Sequence, residues 1–289
     1  FWGITGGCVD SMVSNYTALK KKRKKDDYTP GGFNNRRPDR AVIAYSNLVR
    51  QYFKNTCPIV LGGIEASLRR IAHYDFWSNK IRRSILFDAK ADYLLFGMAH
   101  SSIVKFAFAL KENINPGDLN GVAFISKNKK GKELPSYDVV QKNRDDYIKS
   151  FHIFYENNDP ITAQRLCQQH NDRYLVLNPP EPFSTTKELD HIHSLGFERD
   201  LHPFYKKLGS VKALSTIQFS IPTHYGCYGE CNFCAISIHQ GQTIRFRSED
   251  SIIAEAKAIS HLKDFKGYIT DLGGPTANMY GFECQKKLK

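Results

Sequence analysis

Short apolar runs that end in or near glycine, each joined to the next by an amphipathic stretch, recur along the first part of this 289-residue chain. They restrict its fold more than any other feature. "CPIVLGG" (57–63), "ADYLLFG" (91–97) and "GVAFIS" (121–126) have the length and composition of buried strands. Before the first of them, "RPDRAVIAYSNLVRQYF" (37–53) repeats Val42, Tyr45, Leu48, Val49 and Tyr52 at three and four residues, the stripe of a helix lying on a sheet. "IEASLRRIAHY" (64–74) and "SSIVKFAFALK" (101–111) read as two further helices. Strands alternating with helices specify an α/β fold on a parallel, doubly wound sheet. "FWGITGG" (1–7) reads as a strand caught in mid-domain, so the chain is expected to be a fragment that lacks the opening strands of its first domain.

The pattern divides the chain into three. Residues 1–136 form the N-terminal α/β domain. Residues 137–209, rich in Asp, Asn, His and Pro, read as a mostly helical connecting region, with "DPITAQRLCQQHN" (159–171) as a helix and a proline break at "NPPEPF" (178–183). Residues 210–289 restart the alternation. There "LSTIQFSIPT" (214–223) and "GYITDLGG" (267–274) read as strands, and "SEDSIIAEAKAISHL" (248–262) as a helix with a serine N-cap and an apolar stripe at Ile252, Ile253, Ala256 and Ile259. The two strands are expected side by side and parallel, with the helix crossing over between them in the right-handed sense.

Net charge is +12, with much of it in "KKKRKK" (20–25) and at Lys129 and Lys130. Such runs read as solvated or mobile loops. A nucleic-acid partner is left open but unsupported, because the chain carries neither an RNA-recognition aromatic signature nor zinc-finger spacing. No apolar run nears the roughly 18–20 residues needed to span a bilayer, so no membrane role is expected. Seven cysteines, an odd number with four of them scattered (Cys8, Cys57, Cys167, Cys284), do not form a disulfide framework. They fit a reducing cytoplasm and a single metal or redox site.

That site is "GCYGECNFCAI" (226–236), where Cys227, Cys231 and Cys234 stand on the loop after a strand. Thiolates select zinc, copper(I) or iron–sulfur clusters. A structural zinc needs a fourth ligand, which His224 or His239 could supply, making a basic zinc module that recognises nucleic acid the alternative reading. A [4Fe–4S] cube held by three thiolates leaves one iron open for chemistry.

CxxxCxxC with Phe233 before the last cysteine resembles the signature of radical S-adenosylmethionine enzymes. The resemblance implies that Cys227, Cys231 and Cys234 bind a [4Fe–4S] cluster, whose open iron chelates S-adenosylmethionine, and that Phe233 lies by the adenine. It further implies reductive cleavage to methionine and a 5′-deoxyadenosyl radical, with an electron donor such as flavodoxin or ferredoxin. Gly273, Gly274 and Pro275, at the end of the next strand, match the superfamily's glycine-rich edge for the amino group of the methionine moiety. "RPDRAVIAYSNLVR", "GGIEASLRRIAHYDFW", "HYGCYGECNFCAISIHQGQTIRFRSEDSI" and "GYITDLGGPTANMYG" together resemble the YgiQ-type radical S-adenosylmethionine proteins. That family implies a cobalamin-binding-like N-terminal domain followed by the first βα units of a TIM-like barrel. A methylthiotransferase acting on RNA or a ribosomal protein is a further alternative, although Cys8, Cys57 and Cys167 are too dispersed to form its second cysteine set. No cobalamin-ligating DxHxxG motif is found, and His73 reads as structural. The turn in "LGGIEASLRR", with Arg69 and Arg70, is a candidate phosphate cradle.

Overall fold

The structure is a computed structural model that describes residues 1–275 and 277–282. The chain divides into two compact units, Phe1–Val13 with Pro38–Pro182, and Ser14–Arg37 with the chain from Phe183 onward.

In the first unit β1 (Trp2–Thr5) pairs in parallel with β2 (Ile59–Gly62), Trp2 opposite Ile59. A small antiparallel hairpin follows, β3 (His73–Asp75) with β4 (Lys80–Arg82). Next, β5 (Tyr93–Leu95) adds to β2 in parallel. With β6 (Val122–Ser126), β7 (Lys132–Leu134), β8 (Leu166–His170) and β9 (Arg173–Leu177), these complete a seven-stranded sheet in the order β1-β2-β5-β6-β9-β8-β7. Ile59, Leu61, Leu94, Val122 and Leu175 lie at its buried centre.

The α/β class holds, and β1, β2 and β5 run parallel as the alternation requires. Beyond β5 the sheet is mixed, for β6 runs antiparallel to β5. After the helix His100–Lys111 the chain returns to the end where β5 stops, and the Phe96 amide donates to the Gly121 carbonyl at 3.0 Å. Asn178 holds that return by donating to the Gly117 and Leu119 carbonyls, each at 2.7 Å. A strand that begins beside the end of its neighbour has to run the other way.

Among the helices of residues 137–209 stand two strands of the main sheet. The segment 166–170, expected within a helix, is β8, paired antiparallel with β9 across a tight turn at Asn171, whose φ is +54°. The helix expected over 64–74 stops at Ser67, because Gln168 takes the Ala72 amide at 2.8 Å and the chain turns into β3. The helix Ala41–Tyr52 buries Ala41, Val42 and Ser46 and leaves Tyr45, Leu48 and Tyr52 exposed. Its orientation is set in part by Ser46 Oγ, which donates to the Ala89 carbonyl at 2.6 Å.

In the second unit the expected strand 214–223 is a helical turn, Leu214–Ile217, followed by a short strand, β10 (Ser220–Pro222). A two-residue pair, β11 (His224–Tyr225) with β12 (Arg245–Phe246), stands antiparallel just beyond it. The helix Glu249–Ser260 begins at the expected cap, where Ser248 Oγ accepts from the Ser251 amide at 3.2 Å. Finally the strand expected over 267–274 is confined to β13 (Asp271–Gly273), which pairs in parallel with β10 as anticipated, Ile221 opposite Leu272. Phe219, Ile221 and Ile259 bury together there with Ile252 and Ala256 packed against them, so the helix covers the strand pair. Among the described residues no helix is long and apolar enough to cross a membrane.

Candidate functional site

The cysteine loop hangs from a closed base. Gly226 donates to Gln240 Oε1 at 3.1 Å, and the Cys227 amide donates to the Gly241 carbonyl at 3.0 Å. Gly226 has a φ of +87°, and a Cβ there would run into the Thr243 carbonyl, so only glycine fits this hinge. Cys227 is buried against Ile244 and Met279, with Ile236 beside them. Cys231 is exposed and Cys234 half-buried on the next turn, where the Cys234 amide donates to the Cys231 carbonyl at 2.9 Å.

The position a Cβ on Gly229 would take lies 3.3 Å from Cys227 Sγ and 3.8 Å from Cys231 Sγ. The two sulfurs therefore flank one small backbone and are within about 7 Å of each other, the reach of two thiolates on one cluster. Among the described residues no three His, Cys, Asp or Glu side chains converge as a metal-holding group, and His224 and His239 do not complete one with the thiols. Cys8, Cys57 and Cys167 belong to the first unit, and Cys284 lies outside the described residues.

Because β10 and β13 are parallel, their C-terminal ends share a rim. The Thr223 amide donates to the Gly273 carbonyl at 2.7 Å, and the Arg247 amide to the Thr223 carbonyl at 3.0 Å, which ties the cysteine-bearing segment to the glycine edge. The two glycines do different things. Among the described residues a Cβ on Gly273 would meet nothing within 4 Å, so this backbone is open there to an approaching ligand. A Cβ on Gly274 would collide with the ring of His224, which is fully buried and holds Thr223 Oγ1 at 2.9 Å through Nδ1. Burial pushes the His224 pKa down, partly offset by the Ala277 backbone, so the ring is neutral at pH 7. Pro275 is exposed, and Phe233 is 92% exposed, its ring free of the core.

Beneath the rim lies a polar network that sequence reasoning missed. Glu255 accepts from both Arg199 and Arg247, and Arg247 is wholly buried. Arg247 also donates to the Pro222 carbonyl at 2.9 Å and to Ser251 Oγ at 2.8 Å, while Arg199 donates to the Gln218 and Ser220 carbonyls at 3.0 and 3.2 Å. His193 Nδ1 approaches Glu255 at 3.8 Å, and its Nε2 meets the Tyr225 hydroxyl at 2.8 Å, two residues before Cys227. The arrangement sets one buried and one part-buried guanidinium around a single carboxylate and uses them to hold carbonyls in and just before β10. A signal is present in the sequence, because Glu255 lies three residues after Ile252 and four before Ile259, on the buried face. Ile253, expected on that face, is exposed instead.

The glycine turn at 62–63 does not make a phosphate cradle. Its helix, Gly63–Ser67, has one turn, and a Cβ on Gly63 would strike Thr5 Oγ1, so β1 accounts for that glycine. Arg69 pairs with Asp10, and Arg70 is buried, donating to the Ser67 carbonyl and to Asn158 and lying over the Phe96 and Phe154 rings. His73, read as structural, makes a local contact in which Nδ1 donates to the Ile71 carbonyl at 3.1 Å.

Fold and site together define an α/β protein with a three-thiol loop at the carboxyl end of a parallel strand pair, opposite an open glycine edge. The chain belongs to the Radical SAM N-terminal family, whose model matches residues 1–220. It is similar to a UPF0313 protein of Fusobacterium nucleatum subsp. nucleatum, 56% identical over 292 residues that span 100% of this chain and 51% of that protein. A UPF0313 protein of Thermotoga maritima is 48% identical across 98% of this chain and 51% of its own length. One of Clostridium botulinum is 45% identical across 99% and 45%. The chain thus spans about half the length of these curated relatives. Among solved structures it is similar to the radical S-adenosylmethionine methyltransferase TsrM of Kitasatospora setae. With tryptophan and aza-SAM bound, that structure has 13% identity and a TM-score of 0.40 over 89% of this chain and 34% of that one. With cobalamin and a [4Fe–4S] cluster bound, the values are 14%, 0.44, 89% and 35%.

Proposed function

We propose that this chain carries the cofactor-binding start of a radical S-adenosylmethionine enzyme. Cys227, Cys231 and Cys234 would hold a [4Fe–4S] cluster, and the edge Gly273–Pro275 would receive the methionine end of S-adenosylmethionine. The observation that carries this reading is the shared rim: the thiol loop and the open glycine backbone stand at the same end of β10 and β13, joined through Thr223. When bound, the cluster supplies the electron, drawn from a donor such as flavodoxin or ferredoxin, that cleaves S-adenosylmethionine to methionine and a 5′-deoxyadenosyl radical.

The chain's own residues prepare the place. Cys227, packed on Ile244 and Met279, anchors the loop on its dry side, while the more accessible Cys231 and Cys234 leave the outer face of the site open. Gly273 offers backbone groups without a side chain in the way, and the His224 ring fixes the course of Gly274. Phe233, exposed, is available to cover an adenine. The barrel that these first βα units would open belongs to the same proposal.

Anaerobic reconstitution with ferrous iron and sulfide tests this. The chain is expected to turn brown and to hold about four iron and four sulfide per chain. Cys227→Ala, Cys231→Ala and Cys234→Ala should each lose the cluster's absorbance, and Cys57→Ala should keep it. A colourless protein with stoichiometric zinc, or a Cys231→Ala variant that loads iron like the parent, would overturn the assignment.

A further inference from the structure

Residues 14–37 leave the first unit and fold as part of the second. In these 24 residues eight side chains are basic (Lys20, Lys21, Lys22, Arg23, Lys24, Lys25, Arg36, Arg37) and two are acidic (Asp26, Asp27), a net +6 of the chain's +12. By composition alone the segment is a solvated or mobile loop. The structure makes it a built platform.

Its interior is polar and buried. Asp26 accepts from the Tyr28 amide at 2.9 Å, from Thr29 Oγ1 at 2.7 Å, and from Ser14 Oγ and Arg37 Nε at 3.3 Å each. These donors hold its pKa below the usual carboxylate value although burial pulls the other way. Asn34 Nδ2 donates to the Asn15 and Arg23 carbonyls at 3.1 and 2.8 Å, and Asn15 Nδ2 donates to the Arg37 carbonyl at 3.0 Å. Isolated bridges pair Tyr16 with Lys22 and Lys25 with Phe33. A second basic segment is knitted to the same platform. The Gly31 amide donates to the Ser210 carbonyl at 3.0 Å, and the Ala213 amide to the Asp27 carbonyl at 2.9 Å. Gly31 and Gly209 both have positive φ and pack backbone to backbone, which brings Lys206, Lys207 and Lys212 to the rim.

On this rigid base all six residues 20–25 are exposed. Asp27 and Asp200 account for Lys212 and Lys206. The side chains of Lys21, Lys22, Lys24, Lys25 and Arg36 have no ion pair or hydrogen bond among the described residues. Exposed aromatic rings stand on the same two segments. Phe33 is 67% exposed opposite Lys25, Phe204 is 58% exposed with Lys207 Nζ 5.4 Å above its ring, and Tyr28 and Tyr205 are exposed as well. Gathering this many like charges on one surface opposes folding, and a polyanion bound there relieves the repulsion. Cations interleaved with accessible rings match the alternation of phosphates and bases along a single strand. An anionic lipid surface would match the charge but offers no bases for the exposed rings to stack on.

We infer that the face formed by 20–25, Phe33 and 204–207 binds single-stranded nucleic acid. The surface stands on its own observations and does not depend on the cluster.

The test uses the 289-residue chain and a fluorescein-labelled single-stranded RNA oligonucleotide, followed by anisotropy between ~50 and ~200 mM KCl. The wild-type chain should bind with an affinity that falls steeply with salt. K21E/K22E/K24E/K25E should bind at least ~10-fold more weakly, its log–log salt slope shallower by about 0.7 for each phosphate it no longer neutralises. Phe33→Ala should weaken binding about tenfold with the slope unchanged, because it removes a stacking platform and no charge. Far-UV circular dichroism matching the wild type, with a parallel Lys→Gln quadruple variant, separates impaired binding from impaired folding. No anisotropy change at ~10 μM protein in ~50 mM KCl, reversal variants that bind like the wild type, or an unchanged Phe33→Ala affinity would each overturn the inference. So would tighter binding to phosphatidylcholine–phosphatidylserine vesicles than to the RNA, since the face would then be an anionic-lipid surface.

Discussion

Replacing Gly274 by alanine drives a methyl group into the ring of His224. The new Cβ would have three ring atoms at 2.5 Å or less, where an ordinary carbon contact is about 3.5–4.0 Å. The ring cannot retreat freely. It is fully buried, its Nδ1 is held by Thr223 Oγ1 at 2.9 Å, and Thr223 in turn is tied to the Gly273 carbonyl. Overpacking of this kind costs about 1–3 kcal/mol. Both tryptophans, Trp2 and Trp77, lie in the first unit, so their fluorescence does not report on this site. Native-state hydrogen exchange of the helix Glu249–Ser260 does, because that helix packs on β10. Its slowest amides should exchange roughly 5- to 150-fold faster in Gly274→Ala. His224→Ala alone removes the ring and opens a cavity. In the double variant the methyl occupies part of that cavity, so the combined destabilisation should fall short of the sum of the two by at least ~1 kcal/mol. Additive effects, or wild-type exchange in Gly274→Ala, would refute the view that His224 dictates glycine here. The same variants separate packing from ligand exclusion. If reconstituted Gly274→Ala/His224→Ala binds S-adenosylmethionine as His224→Ala does, the glycine serves the histidine; if it binds more weakly, the ligand itself fills that space.

Glu255→Gln leaves the buried Arg247 guanidinium without its carboxylate, a destabilisation on the order of 3–5 kcal/mol, and the same helix amides should register it; an effect under ~1 kcal/mol would mean that the triad is effectively solvated. Acid should weaken the first unit before its carboxylates titrate. Burial depresses His73 to about 4 and His170 to about 3, so between those values and the usual ~6.5 the unfolded chain binds more protons than the folded one, and stability falls as pH is lowered through that window. By pH ~4.5 each group accounts for up to about 2–3 kcal/mol, read as a falling urea midpoint of tryptophan fluorescence. His170 lies against the rings of Phe87 and Tyr137, with neither ring nitrogen hydrogen-bonded among the described residues, so His170→Phe should flatten the profile. An equal pH dependence in that variant would place the protons elsewhere. Gly226→Ala strains a positive φ and presses on the Thr243 carbonyl, and it should lower iron loading on reconstitution while sparing the first unit's urea midpoint.

Local pattern and tertiary closure carry different information about this protein. The runs at 57–63, 91–97 and 121–126 became β2, β5 and β6 because a short apolar run bounded by glycine fits a strand buried in the middle of a sheet. Ser248 capped its helix, and 271–273 paired in parallel with 220–222, because capping and strand–helix–strand geometry are local and chiral rules. The three thiols stood out because their spacing is short-range. Other features were decided by partners distant in the chain. Asn178 and Gly121 set the direction of β6, and Gln168 ended the helix at Ser67 by taking the Ala72 amide. The antiparallel ladder with β9 made a strand of a segment that reads as helical. At the site, the roles of the two glycines diverge only because His224 lies over one of them. Arg247 and Glu255 are 8 residues apart, yet Glu255 takes its second guanidinium from Arg199, 56 residues away. Periodicity encodes which residues seek burial. Which buried polar group finds which partner is settled only when the chain closes on itself, because a hydrogen bond needs its donor and acceptor in one place and a single sequence records no such pairing.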